Sequence, residues 1–205
     1  MADMGAFKEA VTAWAAGGPG RPARELAAEL SVRTVVLLEG PSDAAAVGTL
    51  AERRGRDLAA EGACLVAMGG AMSIARYARL LGPAGLGLRL TGLCDVAERP
   101  YYSRALHSTG IAQPDIFVCT ADLEDELIRA LGTDRVEELV HAQDDQRALH
   151  TFLRQPAQQD RAPRQQLRRF LGTKKGRKIH YARVLTEALG PDQVPTPLND
   201  LLASL

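Results

Sequence analysis

Carboxylates recur in this chain where short apolar runs stop. Glu39 follows Thr34-Val35-Val36-Leu37-Leu38, and Asp95 follows a run ending at Leu93-Cys94. The pair Asp122 and Glu124 comes just after Ile116-Phe117-Val118-Cys119. Runs this short, apolar and rich in β-branched residues are what strands buried on both faces require. In an open parallel sheet, groups at the carboxyl ends of strands face one crevice. Several carboxylates aimed at one place repel unless a cation lies between them. A hard divalent ion such as Mg²⁺ accepts such oxygens and keeps positions for water and phosphate. Asp43, one helical turn past Glu39, reaches the same spot if it opens a helix.

Capping competes with ligation for some of these acids. Asp43 suits an N-cap or first-turn position, worth about 1 kcal/mol to a helix, and Asp122 equally suits the N-cap of a helix over 123–131. Glu39 differs, because an acid after an apolar strand and before Gly40-Pro41 has little capping use. Between a strand and a helix, Met68-Gly69-Gly70 offers free N–H groups as a seat for a phosphate, although a tight turn alone also needs glycine. No dinucleotide fingerprint or Walker A pattern occurs. Late in the chain, Gly172-Thr173-Lys174-Lys175-Gly176-Arg177-Lys178 forms a cationic turn before a helix. It is either a solvated loop or the source of a lysine that neutralises charge developing on a phosphate.

The elements that must position these groups alternate. Strands are expected at 34–38, 63–67, 88–94 and 116–119, separated by helices at 43–54, 72–81 and 100–108. Such alternation implies βαβ units in a mostly parallel sheet. Two helices, 3–16 and 24–30, precede the first strand and are expected on the outside of the main domain or on a partner. After Asp122 strand signals cease, and helices are expected at 122–131, 134–142, 147–153, 164–170, 179–189 and 198–203. Residues 155–163, polar and proline-flanked, are expected as a mobile loop.

Composition sets the bounds. The chain has 205 residues, 46% of them hydrophobic but only 4% aromatic, so the core must be built mainly from Ala, Leu and Val. No apolar run is long enough to span a membrane, and no signal peptide is expected. Cys64, Cys94 and Cys119 lie in apolar runs without a CxxC pair, which reads as free thiols in a reducing cytoplasm. Net charge is zero, but its distribution is uneven. Residues 92–145 hold twelve Asp/Glu against four Lys/Arg, and residues 146–190 hold eleven Lys/Arg against two Asp/Glu. Either two solvated faces neutralise each other, or an acidic metal cluster adjoins a basic surface for phosphates.

Val35-Val36-Leu37-Leu38-Glu39-Gly40-Pro41-Ser42-Asp43 resembles the opening motif of Toprim domains, in particular the nuclease half of the OLD (overcoming lysogenization defect) endonucleases. Gly69-Gly70, Asp95, Asp122-Leu123-Glu124 and a lysine at 174–178, Lys178 first and Lys175 second, complete the likeness. It covers about 32–189. The resemblance implies metal-dependent phosphodiester chemistry, with two ions clamping the attacking and leaving oxygens. Two departures stand out. Toprim domains usually carry Asp-x-Asp after the third strand, but here the sequence is Asp95-Val96-Ala97-Glu98, so the second ion site is weakened unless Glu98 or Glu124 supplies the missing ligand. The ATPase half that OLD proteins fuse to this part is not seen here.

These readings combine into one expectation: an α/β, Toprim-like (Rossmann-like), mostly parallel four-stranded sheet flanked by helices, with a helical C-terminal extension. Residues 1–31 form a helical segment, 32–145 the α/β domain, and 146–205 the extension completing the site. The expected activity is Mg²⁺- or Mn²⁺-dependent hydrolysis of nucleic acid, DNA ahead of RNA. Glu39, Asp43 and Asp95 hold one ion, and Asp122 and Glu124, with Glu98, complete a second. A non-catalytic nucleic-acid-binding module is the alternative, and nucleotidyl or phosphoryl transfer a third. A separate ATPase partner and a homodimer are the assemblies considered; no membrane is expected.

Overall fold

Four short apolar runs pair into one sheet, in the order β2-β1-β3-β4, with every pairing parallel. The computed structural model describes residues 3–205. The strands are β1 (Thr34–Leu38), β2 (Ala63–Ala67), β3 (Arg89–Asp95) and β4 (Asp115–Cys119). Before them come α1 (Met4–Ala15) and α2 (Arg21–Glu29); between them run α3 (Pro41–Arg53), α4 (Ile74–Leu81) and α5 (Arg99–His107). The rest is helical: α6 (Leu123–Leu131), α7 (Thr133–Ala142), α8 (Gln146–Leu153), α9 (Pro156–Gln159), α10 (Pro163–Leu171), α11 (Arg177–Ala188) and α12 (Thr196–Ser204).

The strand pleat divides the core in two. Val36 and Leu38 of β1 point to one face, where they meet Val47 and Leu50 of α3, Leu127 of α6 and Tyr181 and Leu185 of α11. Val35 and Leu37 point to the other, against Phe7 and Val11 of α1, Ala78 and Leu81 of α4 and Tyr102 of α5. Helices thus cover both faces, which is why the β1 side chains are apolar without alternation. Gly92 in β3 is dictated by this packing, because a Cβ there would sit 2.9 Å from the Tyr102 ring.

The N-terminal helices complete one layer. Phe7 and Val11 are fully buried, and such burial contributes on the order of 2 kcal/mol per side chain. Of the 1–31 segment, residues 1 and 2 lie outside the described residues. Three local expectations change. The helix after β2 begins with a 3-10 turn at Ala71–Ser73 and becomes α-helical only at Ile74. Helix α2 starts at Arg21, before the expected 24, with Pro22 in its first turn. The expected loop at 155–163 contains α9, opened by Pro156, and buries Gln158 under Gln166, whose Nε2 donates to the Gln158 carbonyl at 2.7 Å. All three cysteines are free and buried. Among the described residues, no helix is long and apolar enough to cross a membrane.

Candidate metal centre

Parallel pairing brings the ends of β1 and β3 together. Leu38 is in register with Leu93, so Glu39 and Asp95 leave neighbouring strands at nearly the same level. The turn after β3 folds back, its Glu98 N–H donating to the Asp95 carbonyl at 3.0 Å. As a result Glu39, Asp95 and Glu98 each offer a carboxylate oxygen, all within 4.8 Å of one another. All three are half-buried, and Glu98 Oε2 is buried without a hydrogen-bond partner among the described residues. Burial and then the carboxylates of Asp122, Glu98 and Glu39 push Asp95 up to about 7. Burial and then Glu39 push Glu98 up to about 7 as well. Carboxylates crowded this closely, with one Glu98 oxygen unsatisfied among the described residues, are a donor set that suits a hard divalent cation.

Asp43 faces the same cleft but is partly engaged. Its Oδ2 accepts the Gly40 N–H at 2.8 Å, in the first turn of α3. Burial raises its pKa to about 7; the Gly40 N–H works against that, and the charges of Glu124 and Glu39 add to it. The capping and cleft-facing roles therefore coexist in one side chain.

Opposite stands α6, whose first turn buries Glu124, Asp125 and Glu126. Asp122 is its N-cap, accepting the Asp125 N–H at 2.8 Å, while its other oxygen accepts from Arg168 Nε at 2.5 Å. Glu124 pairs with Lys178 at 3.1 Å, and its Oε1 is unsatisfied among the described residues. Asp125 pairs with Arg164 at 3.1 Å. Glu126 accepts the Thr120 N–H at 2.7 Å and pairs with Arg129. Burial lowers the Lys178 pKa, but Glu124, Asp122 and Asp43 outweigh it and hold the ammonium above its ordinary value. The acidic middle and the basic tail of the sequence thus meet, in ion pairs that link α6 to α10 and α11.

A cleft of about 560 Å³ joins these parts: Glu39, Asp43 and Asp95 lie on one side, Asp122 and Glu124 on another, and Lys174, Lys175 and Lys178 at the rim. Every acid expected at the site except Glu98 lines this cleft, and Glu98 reaches it through Glu39 and Asp95. The grouping differs from expectation, however. The tight set is Glu39, Asp95 and Glu98, while Asp122 and Glu124 already hold cations of the chain itself. Gly69 and Gly70 do not line the cleft. Their φ values of +74° and +125° are the reason for glycine there, and the Gly70 N–H donates to the Glu39 carbonyl at 3.0 Å. Arg168 is the partner that sequence reasoning missed; 46 residues separate it from Asp122, and no local pattern signals the pairing.

Comparison with known proteins agrees with this fold. Residues 32–96 match the family model described as the overcoming lysogenization defect protein-like TOPRIM domain. That segment includes Glu39, Asp43, Gly69, Gly70 and Asp95, which carry much of the resemblance. The C-terminal region of the Burkholderia pseudomallei OLD protein superposes with a TM-score of 0.64 at 19% identity, over 84% of this chain and 96% of that one. The C-terminal region of the Xanthomonas campestris pv. campestris OLD protein gives 0.63 at 22%, over 84% and 93%. No curated protein matches the chain.

Proposed function

We propose that this chain, which carries an OLD-like Toprim domain at residues 32–96 and the fold of OLD C-terminal regions, is a Mg²⁺- or Mn²⁺-dependent nuclease. One observation carries the reading: three carboxylates with oxygens within 4.8 Å of one another, one carboxylate oxygen of Glu98 lacking a partner among the described residues, at the wall of a cleft rimmed by lysines. Glu39, Asp95 and Glu98 are the residues that would hold the cation, with Asp43 beside them. A divalent cation so held supplies Lewis-acid polarisation of a phosphoryl oxygen. The chain's own contribution is charge and position. Lys175, with no ion pair among the described residues, stands at the rim to attract a phosphate. Lys178, half-exposed, is placed to meet negative charge developing on that phosphate. DNA is taken ahead of RNA as substrate.

A second reading has its own support. Asp122 and Glu124, needed for a second ion, are committed to Arg168 and Lys178, and Ala97 stands where a further acid is usual. On this reading cleavage needs the second ion, and the chain, lacking it, binds nucleic acid without cutting it. Plasmid incubated with the purified protein and Mg²⁺ or Mn²⁺ separates the two: the nuclease reading requires nicking or linearisation that Glu39→Ala abolishes. Equal, negligible cleavage by both proteins rejects it. A Mn²⁺-soaked crystal, read by anomalous scattering, counts the ions.

A further inference from the structure

Beside the acidic cleft lies a second hollow of about 570 Å³ that none of the acid chemistry uses. The two share Asp122 and Gly172 on their walls, so they are halves of one groove. The second half has the opposite charge. Helix α10 turns Leu167, Phe170 and Leu171 into the core, and its other stripe, Gln165, Arg168 and Arg169, faces the hollow, with Arg161 just ahead of the helix. Three guanidinium groups thus face a single carboxylate, Asp122, already neutralised by Arg168.

Two of the three donors are held, and none is used up. Among the described residues, Arg161 commits only Nε, to the Ala157 carbonyl at 2.9 Å, and Arg168 only Nε, to Asp122 at 2.5 Å. Arg169 makes no side-chain hydrogen bond or ion pair among the described residues. Fixing a guanidinium through Nε leaves its two terminal nitrogens aimed outward as a fork, the geometry that matches two oxygens of a phosphate. A surface with several such forks in a row, continuous with a cation-binding cleft, suits a chain of phosphates better than one anion.

We infer that the α10 groove, through Arg161, Arg168 and Arg169, binds the phosphodiester backbone of the nucleic acid next to the phosphate that enters the acidic cleft. The identity of the ligand rests on the proposed nuclease reading; the existence of an anion track rests on the arginines alone. Arg168 is the hinge of the arrangement, since it touches Asp122 on the shared wall and so couples occupancy of one hollow to charge in the other.

Binding without cleavage provides the test. Anisotropy of a fluorescein-labelled DNA duplex is titrated with the full chain in EDTA at several salt concentrations, for the wild type and for Arg161→Ala/Arg169→Ala. Both arginines are exposed, so thermal unfolding should not change. The slope of log K against log salt should fall by about 0.9 for each phosphate that is no longer neutralised, about 1.8 for the pair. Arg161→Lys/Arg169→Lys keeps the charge and should keep most of the slope. An unchanged slope in the alanine pair overturns the inference, as does an equally reduced slope in the lysine pair. Neither result bears on plasmid cleavage and its loss in Glu39→Ala, so the two readings fail separately.

Discussion

The Lys178 ammonium lies 3.1 Å from a carboxylate oxygen of Glu124, whose side chain is only 4% exposed. A lysine from α11 therefore supplies the positive charge that a carboxylate buried at this depth requires, with its stem half in solvent. Removing one partner of such a pair leaves the other charge uncompensated. Because Lys178 is half-exposed, Lys178→Met should cost about 1–2 kcal/mol, less than a fully buried pair. Lys178→Met/Glu124→Gln should recover most of that loss. Urea unfolding of both variants and of Glu124→Gln completes the cycle; additive losses would mean that the pair does not interact.

Stability should also vary with pH in a particular sense. Asp43, Asp95 and Glu98 each have a pKa raised to about 7, burial being the largest cause in every case. Between the ordinary carboxylate range near 4 and about 7, the folded protein binds more protons than the unfolded chain. Metal-free stability therefore falls as pH rises through that window and levels off above it. A divalent cation competes with those protons, so Mg²⁺ should raise Tm more at about pH 8 than at about pH 5. Thermal scans at the two pH values, with and without Mg²⁺, decide it, and an equal or reversed increment contradicts the assignment.

Glu98→Gln should act with opposite signs in the two states. Without metal it removes one of three crowded negative charges, and unfolding above about pH 7 should move to higher urea by a small but measurable step, of order 1 kcal/mol. With metal it removes a ligand, so the stabilisation by Mn²⁺ should shrink. A variant less stable than wild type in EDTA would show that the Glu98 carboxylate has a structural partner after all.

The lysine turn is secured from behind. Arg177, 8% exposed, lies over the Phe170 ring at 4.2 Å, donates to both oxygens of Asp145 at 3.1 and 3.2 Å, and reaches Thr173 Oγ1 at 2.6 Å. Tyr181 donates to the same Asp145 at 3.2 Å. Arg177→Met should cost about 2–4 kcal/mol, because Asp145 loses its counter-charge and the ring its cation. Arg177→Lys should restore less than half of that, since an ammonium cannot reproduce the fork. Urea midpoints check both figures; full rescue by lysine would reduce the interaction to simple charge.

Strands and their order of burial were legible because β1 and β2 are apolar on both faces, a pattern that few other elements produce. Glu39 and Asp95 were legible for the same reason: an acid that closes such a run has few structural uses. Glu98 was visible only as a substitute for a missing ligand, since its place beside Glu39 depends on a turn whose return path no spacing rule supplies. Asp122 and Glu124 stood out only as acids after β4. Both caps and ligands call for acids there, and their ion-pair partners, Arg168 and Lys178, stand 46 and 54 residues away. The α9 turn was hidden because Pro156 and Pro163, taken as breakers, each start a helix.

Arginines of the α/β half grip the last helices by their backbone. Arg53 donates to the carbonyls of Thr186 and Leu189, each at 2.7 Å, Arg56 to that of Leu202, and Arg89 to that of Ser204 at 2.9 Å. Helix α11 is thereby stapled to α3 at the end remote from Lys178. The groove cannot widen by α11 swinging off the sheet as a rigid arm without breaking those bonds. Anything that loosens those bonds should free α11, and with it the Lys178 side of the cleft, from the far end of the molecule.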